Sequence, residues 1–343
     1  MHKVITFGIP SYNAAKDMDH CISSILEGSG YANDIEIIIV DDGSHDETPQ
    51  KADEWEQRYP GIVRAVHQEN GGHGMAVMAG LREAQGTYYK VVDSDDWLDG
   101  QALSVMLSIL RGFEERDQRV DLFISNYVYE KVYEGTHTAI GYKSALPRKK
   151  VFGWDQIGRF RPDQNLLMHS LCYRTDLLRA SNLPMPAHTF YVDNIYAYVP
   201  LPNCKTMYYA DIDLYRYFIG REGQSVNEST MVKRLDQQFR ITRIMMNAYH
   251  LDSDVESPRL RSYMMGYFTM MMAICSVFSK LSDNPQAPAN LKELWAELKD
   301  YDVAMYRRAR YGVIGLFTNL HGKLGEKTTI GLYHLAAKIF KFN

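Results

Sequence analysis

The sequence is short of the features that usually assign a protein quickly. Its 343 residues contain four cysteines, Cys21, Cys172, Cys204 and Cys275, all far apart and none in a Cys-x-x-Cys pair. That spacing excludes a zinc ribbon or a disulfide framework and suits free thiols in a reducing compartment. Positive charge is not in excess. The formal net charge is −4, which argues against a general nucleic-acid binder, because such proteins need a basic surface to displace counterions. No Walker-type Gly-x-x-x-x-Gly-Lys-Ser/Thr segment occurs. Gly72-His73-Gly74 meets Val77 where a dinucleotide fingerprint requires a third glycine, and it follows the third expected strand instead of the first. Long apolar runs are scarce. Residues 262–279 carry no charge but are barely long enough to span a bilayer and are diluted by serine, threonine, glycine and tyrosine. They are expected to form a core helix of a second domain, with methionines filling irregular gaps. Residues 4–7 already read as a strand, which predicts no secretory leader and a cytoplasmic location.

What is present is a regular alternation. A chain of this length predicts two domains, or one with a large appendage. Strands are expected over 4–9, 35–40, 62–67 and 88–92, with helices over 14–26, 48–59 and 74–84 and Asn13 as an N-cap. The run 35–40 is apolar except for Glu36, as in strands buried on both faces of a parallel sheet. Such alternation predicts an α/β fold with a doubly wound, mostly parallel sheet. Further on, 122–129 and 207–210 read as strands, 131–142 as a variable excursion and 192–199 as a helix. Beyond Asn227 helical periodicity takes over. The expected division is 1–225, in two halves (1–100 and 101–225), followed by a helical domain, 226–343.

Polar chemistry collects after the strand ends: Ser11-Tyr12-Asn13, Asp41-Asp42, Asn70 to Gly74, and Asp93-Ser94-Asp95-Asp96. Open α/β sheets bind ligands at that edge. Carboxylates packed as densely as Asp93, Asp95 and Asp96 repel one another unless a cation or hydrogen-bond donors lie among them. A divalent metal holding phosphates is the evident cation. The alternative is a solvated acidic turn that caps a helix starting near Trp97.

The order Pro10-Ser11-Tyr12-Asn13, Val40-Asp41-Asp42-Gly43-Ser44, Asn70-Gly71-Gly72 and Asp93-Ser94-Asp95-Asp96-Trp97 resembles the family 2 inverting glycosyltransferases of the GT-A fold, as in bacterial cell-envelope or exopolysaccharide synthesis. The resemblance is strong over 3–100, moderate over 165–227 and absent from the C-terminal helices. It implies a metal-dependent, inverting and non-processive transfer from a UDP-sugar donor to a glycan or lipid-linked acceptor, with Mn²⁺ or Mg²⁺ as cofactor. It implies donor contacts at Pro10, Tyr12 (stacking on uracil), Asn13, Asp41 or Asp42 (accepting the uracil N3–H), Asn70, Gly71, Asp93 and Ser94. Asp95 is the implied metal ligand, with Asp93 near it and Asp96 either a third ligand, a helix cap or a support. His73 and Arg82 either reach the nucleotide or serve the structure, and Asp41 and Asp42 could equally be turn acceptors. The implied base is Asp193, in Tyr191-Val192-Asp193-Asn194, with an N-cap role as its alternative and Asp163 as a rival. The stretch from Tyr215 to Ser225 is expected as a loop that closes over the diphosphate, with Arg221, Gln224 and Ser225 at the donor. Gln237-Gln238-Phe239-Arg240 is followed by Ile241 where processive members carry Trp.

Two other readings use the same sheet. A sugar nucleotidyltransferase would need a basic, glycine-rich loop where Ile9-Pro10-Ser11-Tyr12-Asn13 stands. A non-catalytic scaffold would not need both Asp95 and Asp193. Finally, residues 304–343 carry seven Lys or Arg against a single acidic residue, Glu326. That asymmetry predicts peripheral contact with an anionic membrane or a partner protein, the alternative being a solvated helical face.

Overall fold

The computed structural model describes residues 2–161, 164–220 and 227–340, with side chains as far as 335. The chain forms two compact units, Met1–Gly158 with Leu166–Ile219, and Arg159–Asn165 with Gly220–Asn343. The expected boundary near 225 therefore falls at Ile219, where the Ile219 amide makes its last bond to the sheet, to Glu130 O.

The first unit opens with β1 (Lys3–Ser11), α1 (Met18–Ser29), β2 (Ile35–Asp41), α2 (Thr48–Arg58), β3 (Val63–His67), α3 (His73–Glu83) and β4 (Gly86–Val91). It continues with β5 (Trp97–Leu98), α4 (Gly100–Glu115), β6 (Leu122–Lys131), β7 (Thr136–Ile140), β8 (Val151–Phe152), β9 (Leu171–Arg174), α5 (Thr175–Ala180), α6 (Asp193–Tyr198) and β10 (Met207–Phe218). The sheet runs β3-β2-β1-β4-β9-β6-β10-β5, with β7 added on β6 and β8 on β10. β1 to β4 are mutually parallel and β6 runs parallel to β10, but β9 is antiparallel to both β4 and β6. Six strands, β1, β2, β3, β4, β6 and β10, share one direction, as expected of a mostly parallel sheet, while short β9 at its centre and β5, β7 and β8 run against their neighbours.

Ile37, Ile38, Ile39 and Val40 of β2 are fully buried, each contributing about 1.5–3 kcal/mol relative to exposure. Glu36, the polar exception in that strand, accepts hydrogen bonds from Thr6 Oγ1 (2.6 Å) and the Gln85 amide (2.8 Å) and pairs with Arg64 (3.1 Å). Its buried charge is therefore fully partnered. Register places Ser11, Asp41 and His67 in one row at the carboxyl ends of β1, β2 and β3.

The second unit is helical: α7 (Glu228–Lys233), α8 (Leu235–Ala248), α9 (Leu251–Asp254), α10 (Pro258–Leu281), α11 (Ala287–Tyr301), α12 (Val303–Tyr311), α13 (Val313–Thr318) and α14 (Gly322–Phe340). α10 is long and apolar enough to cross a membrane by length and composition, yet 67% of that stretch is buried. Met264, Phe268 and Cys275 along it are fully buried, and α8, α11, α12, α13 and α14 all pack on it. All four cysteines are free and buried.

Candidate active site

Three loops at the carboxyl edge of β1, β2 and β3 are fastened to one another. Asn13 takes a left-handed conformation (φ 51°). Its amide donates to Ser44 Oγ (3.0 Å) and its Oδ1 accepts from the His45 amide (2.8 Å). It is not the N-cap of α1, which begins at Met18 after Asp17. Tyr12 beside it is half exposed, with one ring edge toward His45. Asp42 is buried, and its carboxylate accepts from the amides of Gly71 (2.9 Å) and Gly72 (2.8 Å) and from Gln68 Nε2 (2.6 Å). Asp41 accepts from the Ser44 amide (3.0 Å) and bonds His67 Nδ1 (3.0 Å). Asn70 donates to Asp42 O (2.9 Å).

The acidic turn after β4 is held from the other half of the sheet. Asp96 is buried; its Oδ2 accepts from Tyr215 OH (2.7 Å) and its Oδ1 from the Phe218 amide (2.9 Å). Burial, with Asp95 and Asp93 nearby, pushes its pKa well above the usual carboxylate range. Asp96 is therefore not the helix cap: α4 starts at Gly100, and Asp99 accepts from the Ala102 amide (3.0 Å). Burial, then the charges of Asp96 and Asp93, keeps Tyr215 protonated, so its hydroxyl donates to Asp96 while accepting from the Asp93 amide (3.1 Å). Asp93 Oδ1 lies 2.8 Å from His73 Nε2. Burial raises the Asp93 pKa, but His73, His169 and Lys90 outweigh it and hold the carboxyl below its ordinary value.

His169, just before β9, is buried, and neither ring nitrogen has a hydrogen-bond partner among the described residues. Burial drives its pKa down to about 4, so the ring is neutral at pH 7. Rings of Tyr215 (4.7 Å) and Tyr217 (4.5 Å) fix its plane. Lys90 of β4 is buried and donates to His169 O (2.7 Å), over the Tyr215 ring at 5.1 Å; burial lowers its pKa to about 8. Asp93, Asp96 and His169 present ligand atoms within 4.8 Å of one another. A neutral, unpartnered imidazole beside two carboxylates is a donor set that fits a divalent metal.

The loop carrying Asp193 is tied to the Gly71-Gly72 turn that follows β3. Gly72 (φ 86°) leaves little room for a Cβ, because the His188 backbone lies 3.0 Å from where one would stand, and the His188 amide donates to Gly71 O (2.7 Å). These glycines admit protein backbone. His188 (φ 48°) and Tyr191 (φ 67°) are themselves left-handed, a strained conformation for Tyr that tends to mark functional loops. Asp193 is the first residue of α6 and Val192 its cap position, so Asp193 is not the N-cap. Burial pushes the Asp193 pKa up; His73 opposes this and Asp93 adds to it. Burial disfavours charge on His73, but Asp93, Asp193 and Asp95 outweigh it and raise its pKa. One histidine thus stands among three carboxylates from two loops.

Most of the expected site residues share this edge. Pro10 is buried within β1, opposite Val40, and Ser94 is half-buried in the acidic turn. Arg82 does not belong here: it sits in the last turn of α3, nine residues and about 13 Å along the helix from His73. Its carbonyl accepts from Arg179 at the opposite edge. Tyr215 to Phe218, expected in a loop, lie in β10, where Arg216 pairs with Glu130 (2.8 Å) and Asp99 (2.9 Å). Asp163, Arg221, Gln224 and Ser225 lie outside the described residues. His169 and Lys90 were not expected at the site, and Tyr215 was expected only as part of a closing loop; a single histidine or lysine in an apolar stretch gives no pattern to read.

Comparison with known proteins gives first the class. Residues 1–349 of S. aureus TarS, solved with UDP-GlcNAc, superpose with a TM-score of 0.66 at 17% identity, covering 97% of this chain and 92% of that one. The mannosyltransferase PcManGT of Pyrobaculum calidifontis, solved with GDP-Man and Mn²⁺, gives 0.51 at 16%, covering 99% of this chain and 87% of the other. The fold is that of the GT-A glycosyltransferases. The sequence agrees over part of the chain: residues 6–160 match the model "Glycosyl transferase family 2". GlyG of Streptococcus pneumoniae is 36% identical over 128 residues, 37% of this chain and 40% of GlyG. The chain spans only 28% and 40% of the first two curated relatives it matches.

Proposed function

We propose that this protein transfers a single sugar, with inversion, from a UDP-sugar to a hydroxyl of a glycan or lipid-linked saccharide. The observation that carries the reading is the meeting of Asp193 with the acidic turn at His73. Tyr12, exposed at the end of β1, offers a face for uracil, and Asp41 and Asp42 set the turn beside it. Asp93 and Asp95 would hold Mn²⁺ or Mg²⁺, with His169 offering a nitrogen ligand and Asp96 completing the group or orienting it. When bound, the ion neutralises charge that grows on the departing diphosphate.

Asp193 does the proton chemistry. Its carboxylate accepts the proton of the acceptor hydroxyl as that oxygen bonds to the anomeric carbon and the bond from that carbon to the diphosphate oxygen breaks on the opposite face. A pKa raised by burial makes its carboxylate a stronger base. His73, bonded to Asp93 and with its pKa raised by Asp93 and Asp193, holds the Asp93 carboxyl below its ordinary value. A panel of UDP-, GDP- and CDP-sugars, scored by nucleotide release with Mn²⁺ and by NMR of the product anomer, tests the reading. Release from UDP-sugars with an inverted anomer is expected. Preference for a GDP-sugar, or a retained anomer, would overturn it.

A further inference from the structure

The short helix α13 presents its apolar side chains outward. Val313 is 72% exposed, and Ile314, Leu316 and Phe317 are exposed as well. Nothing polar accounts for this, since the segment 311–320 contains no charged residue. The orientation is built in. Gly315 is the buried residue of α13 and packs so closely on the Ala309 carbonyl that no side chain would fit there. The turn that follows is pinned by side chains of α10 and α14: Lys280 Nζ donates to Leu320 O (3.0 Å), and Thr329 Oγ1 donates to Phe317 O (2.9 Å). At the start of α14, Leu324 is 81% exposed, and Leu335, near the same helical face, is exposed too.

Cations border this surface. Between 303 and 327 there are five, Arg307, Arg308, Arg310, Lys323 and Lys327, against one acidic residue, Glu326. Arg308 pairs with Asp252 (3.0 Å) and Arg310 lies over the Trp295 ring (5.4 Å). Arg307, Lys323 and Lys327 are exposed. An exposed apolar patch marks an interaction surface. An uncharged apolar helix flanked by basic residues matches the boundary of an anionic bilayer, where apolar side chains enter and Lys and Arg meet acidic headgroups. A second copy of this face would set like charges against each other.

We propose that α13 and the start of α14 are a docking surface for an anionic lipid membrane. Val313, Leu316, Phe317 and Leu324 insert at the headgroup boundary, and Arg307, Lys323 and Lys327 supply the attraction. The test is co-sedimentation of the full chain with vesicles of phosphatidylcholine alone or mixed with phosphatidylglycerol, over a salt series. Binding to the mixed vesicles that weakens with salt is expected. Arg307→Gln, Lys323→Gln and Lys327→Gln should each weaken it about fivefold. Leu316→Ser with Phe317→Ser should weaken binding at every salt concentration. Both sets alter exposed side chains, and unchanged circular dichroism and melting would confirm that they fold. Failure of the parent protein to bind anionic vesicles, or equal binding by all variants, would overturn the proposal. So would concentration-dependent dimerisation in the absence of lipid that the Ser variant abolishes, which would assign the face to a second copy.

Discussion

The two halves of the sheet contribute to the candidate site in different ways. The half built from β1, β2, β3 and β4 supplies the groups with evident chemistry: Tyr12, Asp41, Asp42, His73, Asp93 and Asp95. The half built from β9, β6 and β10 supplies the restraint: Tyr215 and the Phe218 amide hold Asp96, and the chain before β9 sets His169 in place on Lys90. The first half has clusters at strand ends. The second works through single residues whose meaning lies only in what they touch. A turn dense in carboxylates can persist in an apolar sheet because the Tyr215 hydroxyl, the Phe218 amide and His73 share its charge.

The sharpest way to break this division is at the turn itself. Asp95→Ala should abolish metal-stimulated UDP binding, read by calorimetry with and without Mn²⁺, while the melting temperature stays nearly unchanged. Equal stimulation in variant and parent would move the metal site elsewhere. Next come the ties. Tyr215→Phe removes a hydrogen bond to a buried carboxylate and should cost about 1.5–3 kcal/mol in denaturant unfolding. Asp42→Ala leaves the Gly71 and Gly72 amides without their acceptor and should cost about 1–3 kcal/mol. A Tyr215→Phe protein as stable as its parent would show that the second half does not restrain the turn.

The smallest effect belongs to His67. Its bond to Asp41 raises its pKa, burial opposes this, and Asp53 adds to the rise. The stabilisation is full below the unfolded-state value and is lost as pH rises through the higher folded value. Unfolding midpoints should therefore fall across that interval, and His67→Phe should flatten the slope. No difference in slope would mean that the pair contributes nothing.

These asymmetries explain what the sequence reveals. Strands rich in β-branched residues that end in Asp-Asp-Gly-Ser or Asp-Ser-Asp-Asp announce themselves, and the strand–helix alternation through residue 92 matches the fold to within a few residues, apart from a later start of α1. β9 has four residues, too few for a period, and its reversal against β4 follows from pairing partners distant in sequence. β10 runs on to Phe218 because Arg216 and Tyr215 find partners on β6, α4 and the acidic turn, which no local pattern announces. Of the two roles open to Arg82, the structural one fits, because about two and a half turns of helix separate it from His73. Asn13 resembled a cap in composition, but its left-handed backbone serves the loop instead.

The central claim is that Asp193 is the base, and the most direct test is Asp193→Asn assayed for transfer and for UDP binding in the same preparation. A positioned base contributes about 10²–10⁴ in rate. Transfer should fall by that factor while UDP affinity stays within about twofold of the parent. A fall of less than about tenfold would contradict the account and give the proton to another carboxylate.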